Sequence, residues 1–163
     1  MIKYGACVPV PGLHARTGVY ALAVGVLTPQ VLVDPMIRGK QGEQALVAHE
    51  LCHVTDKHAL KLFIWLGITF ALACLTLFLW LARGPLVVPD ATIWLLGSST
   101  LLAGLFIPQL LRICEIDADK AALAATSPAE FVSFVHMHPH PKGRWGRWLY
   151  GANTGDRISR VLP

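Results

Sequence analysis

The sequence predicts a mainly α membrane protein: a two-helix transmembrane hairpin carrying a small α+β domain built from both termini. Three observations predict it. Two uncharged stretches, Leu62–Ala82 and Ala91–Leu111, are 21 residues each, long enough as helices to cross a ~30 Å hydrocarbon core. Mean hydropathy is +0.52, with 54% hydrophobic and only 15% charged residues. Histidines and carboxylates that could share a metal lie on both sides of the apolar region, His49 and His53 before it and Glu115 and Asp119 after it. The chain must therefore return to close one site.

The elements follow in order. Residues 1–17 read as loop, with Pro9, Pro11 and Gly12. Gly18 to Val33 is apolar and β-branched but interrupted by Gly25, Thr28 and Pro29, so two short strands are expected, Val19–Val24 and Gln30–Val33. A strand beside a catalytic helix can hold an extended substrate through its free edge. Pro35 to Gly42 is a loop, and a helix begins at Glu43. Trp65, Trp80 and Trp94 stand near the ends of the two spans, where interfacial aromatics belong. Arg83 to Asp90 is a short turn-rich connection. Helix resumes over Arg112–Ala125, and Ser127-Pro128 caps and opens another that runs to about Val135. Three segments result: 1–61, the hairpin 62–111, and 112–163.

The chemistry concentrates at His49-Glu50-Leu51-Cys52-His53, an H-E-x-x-H motif in a helix-prone run. Residues four apart on a helix lie about 6 Å along its axis and about 40° round. Both imidazoles can therefore grip one zinc ion, while the Glu50 carboxylate reaches a water without acting as a ligand. A tetrahedral zinc with two histidines needs a third protein ligand. Glu115, in Glu115-Ile116-Asp117-Ala118-Asp119, supplies it. Asp119, one turn on, would accept a hydrogen bond from the far nitrogen of a ligand histidine and fix its orientation. Asp117 faces elsewhere. His136-Met137-His138-Pro139-His140 reads first as a loop, with further metal ligands or an imidazole for the oxyanion as the alternatives. Lys142 to Tyr150 alternates basic and aromatic residues, as a segment lying on a lipid surface would.

Charge sets the orientation. Residues 1–61 hold six lysines and arginines, residues 112–163 hold seven, and the connection holds only Arg83. Positive residues stay in the cytoplasm, so both termini and the metal site should face it. The net charge of +4 is read as topology and lipid contact, and no nucleic-acid-binding motif is visible. No secretory leader is expected at the N-terminus. Cys7, Cys52, Cys74 and Cys114 are scattered, as reduced thiols are. Cys52 and Cys114, beside the expected ligands, are read as packing residues.

H-E-L-C-H, two spans, then E-I-D-A-D followed by Lys120-Ala121-Ala122-Leu123, resembles the integral-membrane gluzincin peptidases of the HtpX and CAAX-prenyl-protease type. Asp156 to Leu162 is similar to that family's closing Arg-Ile segment, and Gly25 to Pro35 is closer to BlaR/MecR antirepressor-type membrane peptidases. The family's His-Pro before the Arg-Ile segment reads Gly151-Ala152 here. The resemblance implies a zincin-like domain and a zinc endopeptidase in the bacterial inner membrane, acting on membrane-associated or misfolded proteins or relaying a signal by cleavage. It implies zinc on His49, His53 and Glu115, with Glu50 as the proton-transferring base. Arg157, at the Arg-Ile position, would support the oxyanion or the metal ligands. Expected partners are a protein or peptide substrate and the lipid bilayer, with room for a homo-oligomer or a regulatory membrane partner. The alternative is a non-catalytic zinc-binding adaptor that keeps the fold.

Overall fold

The protein is described here by a computed structural model over residues 7–82, 89–138 and 154–161. The expected turn at 83–88 and the basic-aromatic segment Lys142–Tyr150 lie outside the described residues. The N-terminal part forms a three-stranded sheet of β1 (Cys7–Pro9), β2 (Ala21–Val24) and β3 (Gln30–Val33), in the order β1-β3-β2. β2 and β3 are antiparallel, with Ala21 opposite Val33, and β1 runs parallel to β3, with Cys7 opposite Val31.

Two elements depart from expectation. Residues 1–17 are not all loop: they contain β1 and a short helix, α1 (Leu13–Thr17). A three-residue strand ending on proline has no periodicity to read, and its partner is distant in sequence. Pro9 is tolerated because β1 is an edge strand. α1 lies between Gly12 at φ 73° and Gly18 at φ 79°, whose N–H bonds the His14 carbonyl. β2 also starts later than expected, at Ala21, because Gly18 first closes α1.

A 3-10 turn at Pro35–Ile37 leads to α2 (Glu43–Thr55). Seven of its residues, Ala45–Glu50 and Cys52, are buried. The sheet, α5 (Pro128–Met137) and α4 (Asp90–Ala125) pack around it. The core joins Val31 and Val33 of the sheet, Leu46 and Val47 of α2, Ala122 of α4, and Phe131, Phe134 and Val135 of α5. Fully burying each phenylalanine contributes about 1.5–3 kcal/mol. Both ends of the chain thus share one core. Ser127 caps α5 by accepting from Glu130 N at 3.2 Å, with Pro128 following it.

α3 (His58–Leu81) and α4 run side by side. Trp65 donates from Nε1 to the Ala103 carbonyl at 2.8 Å, and the hydroxyls of Thr76 and Thr100 lie 3.4 Å apart. Both helices are long and apolar enough to cross a membrane. In their most apolar stretches only 0% and 6% of residues are buried. Phe63, Phe70, Phe78, Trp80, Trp94 and Leu102 are instead exposed, unlike the helices of a water-soluble core. α4 continues without interruption past the apolar stretch to Ala125.

Gly42 opens α2 at φ 95°, and a Cβ there would lie 2.7 Å from Phe134 N. Its own N–H donates to Glu130 Oε1 at 2.7 Å. Gly42→Ala should therefore cost more than about 1 kcal/mol and lower the melting temperature of the detergent-purified protein. Gly104→Ala, where nothing lies within 4 Å, should leave it unchanged. Equal melting of the two variants would mean the α2–α5 junction is looser than described.

Candidate active site

α2 presents His49 and His53 one turn apart, and their Nε2 atoms are 3.2 Å from each other. α4 brings Glu115 opposite, with oxygens 3.6 Å from His49 Nε2 and 3.8 Å from His53 Nε2. Two nitrogen ligands about 2.05 Å from a tetrahedral zinc would be about 3.3 Å apart. The set needs only a slight contraction to fit that ion, and its donors, two imidazoles and a carboxylate, are those zinc takes. The three residues form one of two groups close enough to hold a metal among the described residues; Cys52, Asp56 and His58 form the other.

Behind His49 stands Asp119, also on α4. Its Oδ1 is 3.0 Å from His49 Nδ1. Arg157, on α6 (Thr154–Val161), grips the same carboxylate with two donors: Nε to Oδ2 at 2.9 Å, and Nη2 to Oδ1. Its Nη1 donates to the His138 carbonyl at 2.8 Å, and its guanidinium lies over the Phe134 ring. Arg157 is only 2% exposed. Burial raises the Asp119 pKa, but the hydrogen bonds from His49 and Arg157 outweigh it and hold the carboxyl well below its usual range. Burial likewise disfavours charge on His49, yet Asp119, Glu115 and Glu50 raise its pKa above the ordinary value. At His53, burial and then the His49 charge outweigh Glu115 and Asp119 and push the imidazole down to about 4.

Glu50 is buried, and its Oε2 accepts from Ala23 N of β2 at 2.6 Å. Burial raises its pKa. Tyr20 O accepts from Asp34 N on the β3 side. By strand alternation, the backbone groups of Ala21 and Ala23 turn toward the other edge, where no strand pairs among the described residues. A cleft of about 330 Å³ opens there, lined by Ala23, His49, Glu50, His53, Glu115 and His138 among others.

All six residues singled out by the sequence converge here, in different places. His49, His53, Glu50 and Glu115 line the cleft. Asp119 and Arg157 lie behind it, and Asp117 is exposed. The Cys52 thiol, pushed up to about 12 by burial and then by Asp56, points its Sγ to Asp56 Oδ2 at 3.5 Å. Sequence reasoning missed His58, whose Nδ1 is 2.9 Å from His53 Nδ1. It also ranked His138 as loop, although that imidazole lines the cleft. The signal for His138 was present in the His-Met-His-Pro-His run; its position could not be read without α5.

Two histidines on one helix, a carboxylate on a second and a buried glutamate beside a strand edge are a donor set and base that suit a zinc metallopeptidase. The chain belongs to peptidase family M48, whose sequence model matches residues 12–142. No curated protein and no solved structure gives a significant match.

The purified protein should hold about one zinc per chain, and His49→Ala, His53→Ala or Glu115→Ala should each lower occupancy sharply by metal analysis. Asp119→Asn should weaken zinc binding or activity by about 10–100-fold, whereas Asp117→Asn should change neither. Indifference at both positions would separate Asp119 from the centre.

Proposed function

We propose that this M48 member is a membrane-embedded zinc endopeptidase that hydrolyses peptide bonds of membrane-associated or misfolded proteins at the cytoplasmic face. The observation that carries the reading is the Glu50–Ala23 contact: the candidate base and the free strand edge meet in the same cleft as the ligand set. His49, His53 and Glu115 would hold zinc. Bound there, zinc supplies a Lewis acid that acidifies water and polarises a carbonyl.

The remaining work falls to the chain. An extended substrate segment adds to β2 through the backbone of Ala23, which lines the cleft. A substrate carbonyl that accepts from Ala23 N takes the donor now bonded to Glu50, which releases the carboxylate as the substrate docks. Glu50 then takes a proton from the attacking water and passes it to the leaving amine. The raised pKa that burial gives its carboxyl suits it to both steps. His138, whose ring centroid is 6.1 Å from that of His49, is the nearer group for donating to the developing oxyanion. Arg157 acts through others, by holding the His138 carbonyl and the Asp119 carboxylate. Support for the membrane location comes from the two long apolar helices and their exposed aromatic and aliphatic residues.

Glu50→Gln should retain zinc and fold but lose nearly all proteolysis, because an amide cannot carry the proton. The assay is cleavage of an unfolded reporter by detergent-purified protein; undiminished cleavage by the variant would remove Glu50 from the mechanism, and no cleavage by the wild type would favour an adaptor that keeps the centre only to bind. Topology is checked separately. A reporter at either terminus should map to the cytoplasm, and one inserted near Val87 to the opposite side. A cytoplasmic result at Val87 would rule out a transmembrane hairpin.

A further inference from the structure

We infer that His58 is a positioning residue for the metal centre: its Nδ1 accepts the Nδ1 proton of His53 and fixes the tautomer and plane in which His53 offers Nε2 to the metal. The inference rests on the reading that His49, His53 and Glu115 hold zinc.

The local backbone makes the contact. α2 ends at Thr55, and Lys57 adopts the left-handed conformation, φ 54° and ψ 41°. This is a conformation that non-glycine residues adopt uncommonly. The break lets the first side chain of α3 lie against the last turn of α2. His58 is 3% exposed there. The Nδ1 atoms of His58 and His53 are 2.9 Å apart, and their rings meet nearly edge-on, at 76° with centroids 4.9 Å apart. That approach suits an N–H···N hydrogen bond and not a stack.

Counting protons settles the direction of the bond. A neutral imidazole carries one donor and one acceptor nitrogen. His53 Nε2 faces His49 and Glu115, so a metal there leaves the proton on Nδ1. Nδ1 of His58 must then accept, which places the His58 proton on Nε2. That atom faces the Asp56 carboxylate at 3.9 Å, where a negative charge favours a proton. His53 thus has a neutral acceptor in the place where His49 has the Asp119 carboxylate.

The same count argues against the other use of this corner. Cys52, Asp56 and His58 are close enough to hold a second cation. A cation on His58 Nε2 would move its proton to Nδ1, directly opposite the proton of His53. The cluster therefore serves the first centre better than it would serve a second.

The test is zinc affinity of the full-length, detergent-solubilised protein, measured against a competing chelator. Asn places a carbonyl oxygen near the position of histidine Nδ1, whereas Leu offers no acceptor. His58→Leu should bind zinc about 10–100-fold more weakly, and His58→Asn should stay close to wild type. Melting of the metal-free variants reports whether each is folded. Wild-type affinity in His58→Leu, or equal loss in both folded variants, would overturn the inference. Should His58→Leu not fold, the wild type decides by ¹⁵N NMR of histidine-labelled, zinc-loaded protein. A bare Nδ1 and a protonated Nε2 on His58 are expected, and a protonated Nδ1 overturns the assignment. Failure of wild type to bind zinc through His49, His53 and Glu115 would instead overturn the underlying reading, and this inference with it.

Discussion

The Asp119 carboxylate joins three elements that are far apart in sequence. His49 comes from α2, Asp119 from α4 and Arg157 from α6, and they meet with almost no solvent. A buried charge is expensive unless its partners are complete. Here both oxygens are engaged: Oδ2 by Arg157 Nε, and Oδ1 by Nη2 and the His49 ring. The arginine, in turn, uses a third donor on the His138 carbonyl. Removing Asp119 would leave the Arg157 charge without its carboxylate inside the protein. The same bonds that close the fold therefore hold the His49 ring in place. Folding of the C-terminal helix and geometry of the metal centre are one problem in this chain.

Much of the site was legible in sequence because helix geometry is local. H-E-x-x-H and E-x-x-x-D each place their groups on one face through the 3.6-residue period, and no tertiary information is needed for that. The strands β2 and β3 and the Ser127 cap were readable for the same reason. The elements missed depend on distant partners or single dihedrals. β1 exists only because β3 offers it an edge. His58 reaches His53 only because Lys57 reverses the local backbone, and a continuous helix would have carried it to another face. Arg157 was expected to support either the oxyanion or the metal ligands, and sequence left the choice open. The structure puts it behind Asp119, a depth that no local pattern encodes.

Burial divides the molecule into two parts. α2 is enclosed on several sides and shows no clean amphipathic stripe, so its apolar residues could not be assigned to one face from sequence. α3 and most of α4 show the reverse: large apolar side chains point outward, while threonine hydroxyls and the Trp65 indole find partners between the helices or along their own backbones. Polar groups satisfied within and between helices, with hydrocarbon outside, are what a lipid environment requires.

α4 is unbroken from Asp90 to Ala125 and carries both the apolar stretch and the residues Glu115 and Asp119. It therefore works as a ruler. Each residue advances about 1.5 Å and turns about 100°, so the turns that follow Pro108, the proline inside the helix, set the height of Glu115 and its bearing toward α2 together. Residues added at the Asp90 end would lengthen α4 without disturbing that bearing. One residue added between Leu111 and Glu115 would swing the carboxylate about 100° away from the histidines. The apolar stretch and the Glu115 face are thus in phase, and only the far end of α4 is free to vary in length.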